Sequence, residues 1–225
     1  MKIKIASFLF TFLLVYNACT DGQQGWVELF DGESLDGWVQ KNGTASYEVI
    51  DGTITGTTAE GSPNSFLCTV KEYDDFEMEF EVKVDNPLNS GIQIRSRQRE
   101  ETVGESKNEQ AGRVYGPQVE LASYGNDPSS TGYIFGEATG KGWVTPDADR
   151  IKHHHFKPDE WNHIRIRAVG PVIETWVNNN PISNLNDPEI SREFPRGFIG
   201  LQVHGIEEGT GPYQVSWKNL KIREL

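Results

Sequence analysis

Two cysteines in 225 residues leave no material for a disulfide framework or a cysteine-built metal knot. Cations are scarce too: 21 Lys and Arg stand against 33 Asp and Glu, for a net charge of −12. That balance excludes a surface built for nucleic-acid phosphates and suits the solubility of an exported protein. Amphipathic helical periodicity over three turns is absent, as are internal repeats and any regular alternation of strands with helices. A single long apolar run occupies residues 5–16, behind Lys2 and Lys4 and ahead of Ala18-Cys19. It is too short for a comfortable membrane span and reads as a secretory signal over residues 1–18. Cleavage before Cys19 with lipid on its thiol is the expected processing, leaving a short tether over 19–25; secretion without lipid is the alternative. The chain is therefore expected in the periplasm or at the outer membrane as a lipoprotein, touching the membrane only through that anchor. Cys68, in SFLCTV, is then left as a small buried hydrophobe.

Residues 26–225 are enough for one sizeable core, and no linker divides them. Aromatics are plentiful, with 6 Trp, 7 Tyr and 11 Phe to fill a β core. Residues 76–84 (FEMEFEVKV) alternate almost perfectly, with Phe76, Met78, Phe80, Val82 and Val84 inward. Glu77 and Glu79 read as a solvated face, whereas Glu81 comes close to Arg95 if the following turn makes a hairpin. Asp51-Gly52 marks a hairpin between 47–50 and 53–57, and Gly170-Pro171 joins 161–170 to 172–179. The last strand, around Val215, Trp217, Leu220 and Ile222, is expected to pair near the first. Many short strands with turn signals and no βαβ rhythm predict an all-β sandwich.

Three stretches put polar chemistry on one face of such a sheet. In NSGIQIRSR (89–97), Ile92 and Ile94 point one way, and Gln93, Arg95 and Arg97 the other. PQVEL (117–121) sends Gln118 and Glu120 outward, and FIGLQVH (198–204) groups Phe198, Gly200, Gln202 and His204. Lined up, they make a concave wall of amides, cation, carboxylate and imidazole, suited to an oxygen-rich ligand. Residues 98–113 form a polar excursion beside it. The run RIKHHHF (150–156) invites a metal, but adjacent histidines point in different directions and no spaced carboxylate accompanies them.

These motifs, with ELFDGESLDGW, GRVYGPQVEL, TGYIFGEATGKGW, EWNHIRIRAVG and WKNLKIREL in order, resemble the secreted 3-keto-disaccharide hydrolase domain family over 26–225. The resemblance implies a concanavalin A-like lectin/glucanase jelly roll of two antiparallel sheets. It also implies a glycoside substrate already oxidised at C3 by a partner oxidoreductase. Asn179 departs from the family's usual Gly, a change tolerable in a left-handed turn, and the loop after Leu121 lacks the usual acidic residue.

A ketone at C3 acidifies the C2 proton, so a base can form an enolate that expels the C1 group before water adds. The base is Glu120 or His204; Arg95 holds the keto sugar or its enolate, and Glu137 is the candidate acid. Gln93, Gln118, Gln202 and Glu81 are candidate hydroxyl ligands, and Trp143 a stacking surface. The residues assign no cofactor, and a divalent metal bridging Glu120, His204 or Glu137 is left open. Two competing readings are a glycan-binding module without catalysis and a conventional retaining glucanase using Glu77, Glu79 and Glu81.

Overall fold

The computed structural model describes residues 25–122 and 128–225. The expected leader and the Cys19 lipidation site therefore lie outside the described residues, as do positions 123–127 of the loop after Leu121.

The strands follow the predicted alternation. They begin with β1 (Val27–Glu28), β2 (Trp38–Lys41), β3 (Ser46–Ile50), β4 (Thr53–Thr57) and β5 (Ser65–Thr69). Next come β6 (Phe76–Val84), β7 (Asn89–Gln98), β8 (Val114–Ala122), β9 (Ile134–Glu137) and β10 (Gly142–Trp143). The last third carries β11 (Asn162–Val169), β12 (Val172–Val177), β13 (Asn180–Asn186), helix α1 (Pro188–Glu193), β14 (Phe198–Val203) and β15 (Gln214–Glu224). Asp51 and Gly52 both take positive φ (49° and 72°), as the tight turn between β3 and β4 requires. Asn178 and Asn179 do the same between β12 and β13 (48° and 66°), so Asn in place of Gly is accommodated there.

Among the described residues these strands make two antiparallel sheets. The first runs β13-β12-β11-β6-β15-β4-β3, with β1 added against β15 as expected; the second runs β10-β9-β8-β7-β14-β5-β2. The sheets pack face to face as a jelly-roll sandwich. Phe76, Met78, Phe80, Val82 and Val84 of β6 meet Ile92, Ile94, Val119, Leu121, Leu201 and Val203 of the second sheet in one core. A smaller cluster on the other side of the second sheet holds Phe66, Cys68, Val114 and Phe198. Burial there pushes the Cys68 thiol well above its ordinary pKa, so it packs as an inert hydrophobe.

The β6–β7 connection corrects one expectation. It is a crossing between sheets, so Glu81 and Arg95 do not meet. Glu81 lies on the outer face of the first sheet, 3.4 Å from Lys218 Nζ and accepting from Asn219 Nδ2 at 2.6 Å. Glu77 is not solvated either: it is buried between Arg165 and Arg223, whose guanidiniums cover Trp176 and Trp26. Glu79 sits 3.2 Å from Lys221 Nζ. The three glutamates thus form a cross-strand charge ladder rather than the acid stripe of a glucanase cleft.

Candidate functional site

A cavity of about 1220 Å³ opens at one end of the second sheet, where β9 and the end of β14 meet the loops before β5, β7 and β8. Its polar lining includes Asn64, Asn89, Lys107, Arg113, Glu137 and His204. Pro63, Pro87, Phe135, Ile206 and Tyr213 supply apolar wall.

His204 follows β14 directly, and its Nδ1 lies 2.7 Å from the Gly205 carbonyl oxygen. A carbonyl only accepts, so Nδ1 carries the proton in that bond, and Nε2 is left with no partner among the described residues. Gly205 is required for this placement, because a Cβ there would stand 2.3 Å from the Ser62 carbonyl oxygen. The same glycine donates its N–H to Asn64 Oδ1 at 3.0 Å, and Asn64 Nδ2 donates to Glu137 Oε1 at 3.2 Å. Arg113 Nη2 pairs with that same oxygen in a buried salt bridge. Arg113 Nε is buried without a partner among the described residues, and the guanidinium sits 5.9 Å from the Phe66 ring centre.

Glu120 lies on the same face of the sheet but is not among the side chains lining the cavity. Its Oε1 accepts from Asn89 Nδ2 and its Oε2 from Gln118 Nε2 at 2.9 Å. Burial pushes its carboxyl up to about 7, against the two amide bonds that lower it; the nearby Glu137 charge adds to the rise. The folded pKa thus exceeds the ordinary 4.5 of the unfolded chain. Folded protein then holds more protons than unfolded protein between these two values. The stabilisation from this group is complete below the lower value, declines as pH rises through the interval, and is gone above the upper one. Glu120→Gln should remove the decline. Unfolding free energies from denaturant titration are expected to match wild type near the low end and to exceed it at alkaline pH by on the order of 3 kcal/mol. An equal difference at both ends would sink this account.

Several sequence expectations are redirected by the tertiary structure. Arg95 does not join the polar wall. A bulge between Gln93 and Arg97 breaks the β7–β8 register, and Arg95 takes φ 50°. Its Nε donates to the Asp74 carbonyl at 2.6 Å and its Nη1 to the Gly170 carbonyl at 2.7 Å. Its Nη2 pairs with Asp75 Oδ1 at 2.9 Å. Arg95 is therefore a buried clamp onto the start of β6 and the β11–β12 turn.

Gln93 and Gln118 are also buried, and their amides hold each other rather than the cavity. Gln202 is buried two residues before His204, with both amide atoms unpartnered among the described residues. Trp143 packs edge-on against Phe135 and lies under Arg150, 4.5 Å from its ring centre, so it offers no open stacking platform. His153 bonds the Thr131 carbonyl through Nε2 at 2.8 Å and stacks on His155. Among the described residues no three His, Cys, Asp or Glu side chains converge closely enough to hold a metal. The bridging-metal alternative therefore has no ligand set there.

The residues that sequence reasoning passed over are Asn64, Asn89 and Arg113. Asn89 and Arg113 stand at the start of the motifs NSGIQIRSR and GRVYGPQVEL, ahead of their alternating stretches. Asn64 sits in a Ser-Pro-Asn turn with no signal beyond turn chemistry.

The model of the 3-keto-alpha-glucoside-1,2-lyase-like domain matches residues 25–223. The chain belongs to that family. Its role is accordingly glycoside hydrolase-like or carbohydrate-binding, with a glycan as ligand. Among solved structures, it is similar to a candidate glycosyl hydrolase from Parabacteroides distasonis, with 23% identity and a TM-score of 0.60, over 89% of this chain and 94% of that one. A Bacillus subtilis protein of unknown function with a galectin-like fold also gives 0.60, at 9% identity over 89% of this chain and 98% of that one. A carbohydrate binding module from the same organism gives 0.54, at 15% identity over 84% and 96%. At such identities these likenesses speak to the fold, and they agree with the jelly roll. No curated protein matches the chain.

Proposed function

We propose that the protein cleaves the glycosidic bond of glycosides carrying a ketone at C3, by removal of the C2 proton, elimination and hydration. The observation that carries this reading is His204 on the cavity wall, its Nδ1–H engaged by Gly205 and its Nε2 open. Of the two groups the sequence offers as base, only His204 lines the cavity.

In this scheme Nε2 takes the C2 proton and the C–H electron pair moves into an enolate whose charge lies on the C3 oxygen. Arg113 and Lys107 line the cavity as cations that can stabilise that charge, and the Asn89 amide adds a donor when its Nδ2 faces the cavity. The enolate electrons then form the C1–C2 double bond as the C1–O bond breaks, and the imidazolium returns its proton to the departing oxygen. Glu137 accepts bonds from Arg113 and Asn64 through Oε1, so the scheme uses it as an acceptor rather than as the acid at the leaving group. It takes a proton from the water that adds to C1 and delivers it to C2, which closes the hydrolysis. The ketone is supplied by a separate oxidoreductase. The chain works outside the cytoplasm, carried as a lipoprotein on Cys19.

The test is product formation from a 3-keto-disaccharide and from its unoxidised parent in deuterated water. Cleavage of the keto form alone, with solvent deuterium at C2 of the released sugar, is expected. Cleavage of the parent would move the protein to conventional glycosidases. Binding of either sugar without turnover would leave a glycan-binding module.

A further inference from the structure

Behind the cavity wall runs a chain of side-chain hydrogen bonds of which the chemistry above uses only the Asn89 end. Ser96 Oγ donates to Gln93 Oε1 at 2.6 Å, and Gln93 Nε2 donates to Gln118 Oε1 at 2.6 Å. Gln118 Nε2 donates to Glu120 Oε2 at 2.9 Å, and Glu120 Oε1 accepts from Asn89 Nδ2. Ser96, Gln93, Gln118 and Glu120 are all buried; Asn89 is half-buried and lines the cavity. The chain thus joins a titratable group to an amide that can touch a ligand.

We propose that Glu120 is a positioning residue that determines, by holding or losing one proton, which end of the Asn89 amide faces the cavity. The consequence for catalysis rests on the 3-keto-glycoside reading; the coupling itself does not. Ionised Glu120 accepts at both oxygens, so Asn89 turns Nδ2 toward it and leaves Oδ1 for the cavity. Protonated Glu120 must donate. Gln118 Nε2 occupies Oε2, and Gln118 is itself held through Gln93 to Ser96, so the proton belongs on Oε1. There it needs an acceptor, which Asn89 provides once its amide rotates half a turn, presenting Nδ2 to the cavity. An amide reversal changes shape little, and Asn89 is the member of the chain at the open end.

The surrounding charges are consistent with this exchange. Glu137 of β9 repels a charge on Glu120 and so favours its proton. Arg113, ahead of β8, is engaged by Glu137, while Lys107 and His204 reach the same cavity from the preceding loop and from the end of β14. From β14 the buried Gln202 is neutral, and Gly91 of β7 stands directly across from Glu120. Burial brings the Glu120 titration near neutrality, where one proton reverses the amide within a physiological range. An Nδ2 donor stabilises an enolate oxygen and an Oδ1 acceptor repels it. The enzyme is therefore active with Glu120 protonated and fades as it ionises.

Glu120→Gln tests this directly, because its own amide can donate to Asn89 Oδ1 while accepting from Gln118, as the protonated acid does. Wild-type kcat/KM should fall about tenfold per pH unit on the alkaline side, whereas Glu120→Gln should keep cleaving and stay flat. Asn89→Ala should lose about 100-fold at the optimum and, lacking the amide, also lose the alkaline fall that Glu120 imposes. Without any substrate, the Asn89 side-chain amide resonances should move with a one-proton titration in wild type and stay still in Glu120→Gln. A folded but inactive Glu120→Gln, in a protein whose wild type turns over, would make Glu120 a catalytic base and overturn the proposal. So would Asn89 resonances that ignore pH. Titrating resonances in a wild type that cleaves no 3-keto glycoside would uphold the coupling and discard the reaction.

Discussion

His204→Asn is expected to lower kcat on a 3-keto glycoside by about 10² to 10⁴, the range typical of a lost general base. Asn retains a polar group of smaller size at a half-buried position, so the fold should survive with a loss of about 1 kcal/mol from the missing bond to Gly205. KM should change little, because the imidazole acts on the C2 proton and not on the hydroxyls that hold the sugar. Exchange of the C2 proton with solvent should fall in parallel with cleavage, since both begin with the same abstraction. Wild-type exchange in a variant that no longer cleaves would assign His204 to leaving-group protonation and return the base to another residue. Equal loss of affinity and rate would make it a sugar ligand.

Arg95→Met is expected to destabilise the protein by about 3 kcal/mol while leaving the kinetics on any glycoside unaltered. Three hydrogen bonds from this side chain tie β7 to Asp74, Asp75 and Gly170, and it is buried to within 2%. Met fills much of the volume but leaves two carbonyls without that donor and Asp75 without its cation. For a domain of this size the change corresponds to a drop in Tm of about 6 to 12 °C, measurable by calorimetry. A stable Arg95→Met with weakened substrate binding would reinstate Arg95 in the polar wall and contradict the clamp.

The two residues illustrate different limits of reading by pattern. Alternation put Phe198, Gly200, Gln202 and His204 on one face; Phe198 packs with Phe66 and Cys68, Gly200 and Gln202 stand directly opposite Cys68 and Phe66, and His204, one residue past the end of β14, lines the cavity. The same logic grouped Arg95 with Gln93. It failed because a bulge inserts one extra residue into β7 and turns the side chain toward the other sheet. Glu77 shows a third case. Its outward direction was correct, yet Arg165 and Arg223 from neighbouring strands bury it, and no stretch of β6 announces partners so distant in sequence.

What the sequence determined by itself is the architecture. Its strand periods, its Asp-Gly turn, its many aromatics and its ordered motifs specify an antiparallel sandwich of a glycoside-directed family, since local side-chain periodicity dictates which faces must be buried. The tertiary structure alone decided the site. Asn64, Asn89, Arg113, Glu137 and His204 come from separate loops and strand ends, and their meeting depends on how the second sheet's connections close. It also decided that Glu120 titrates near neutrality behind Asn89, because desolvation is a property of what surrounds a carboxyl and not of the residues beside it in the chain.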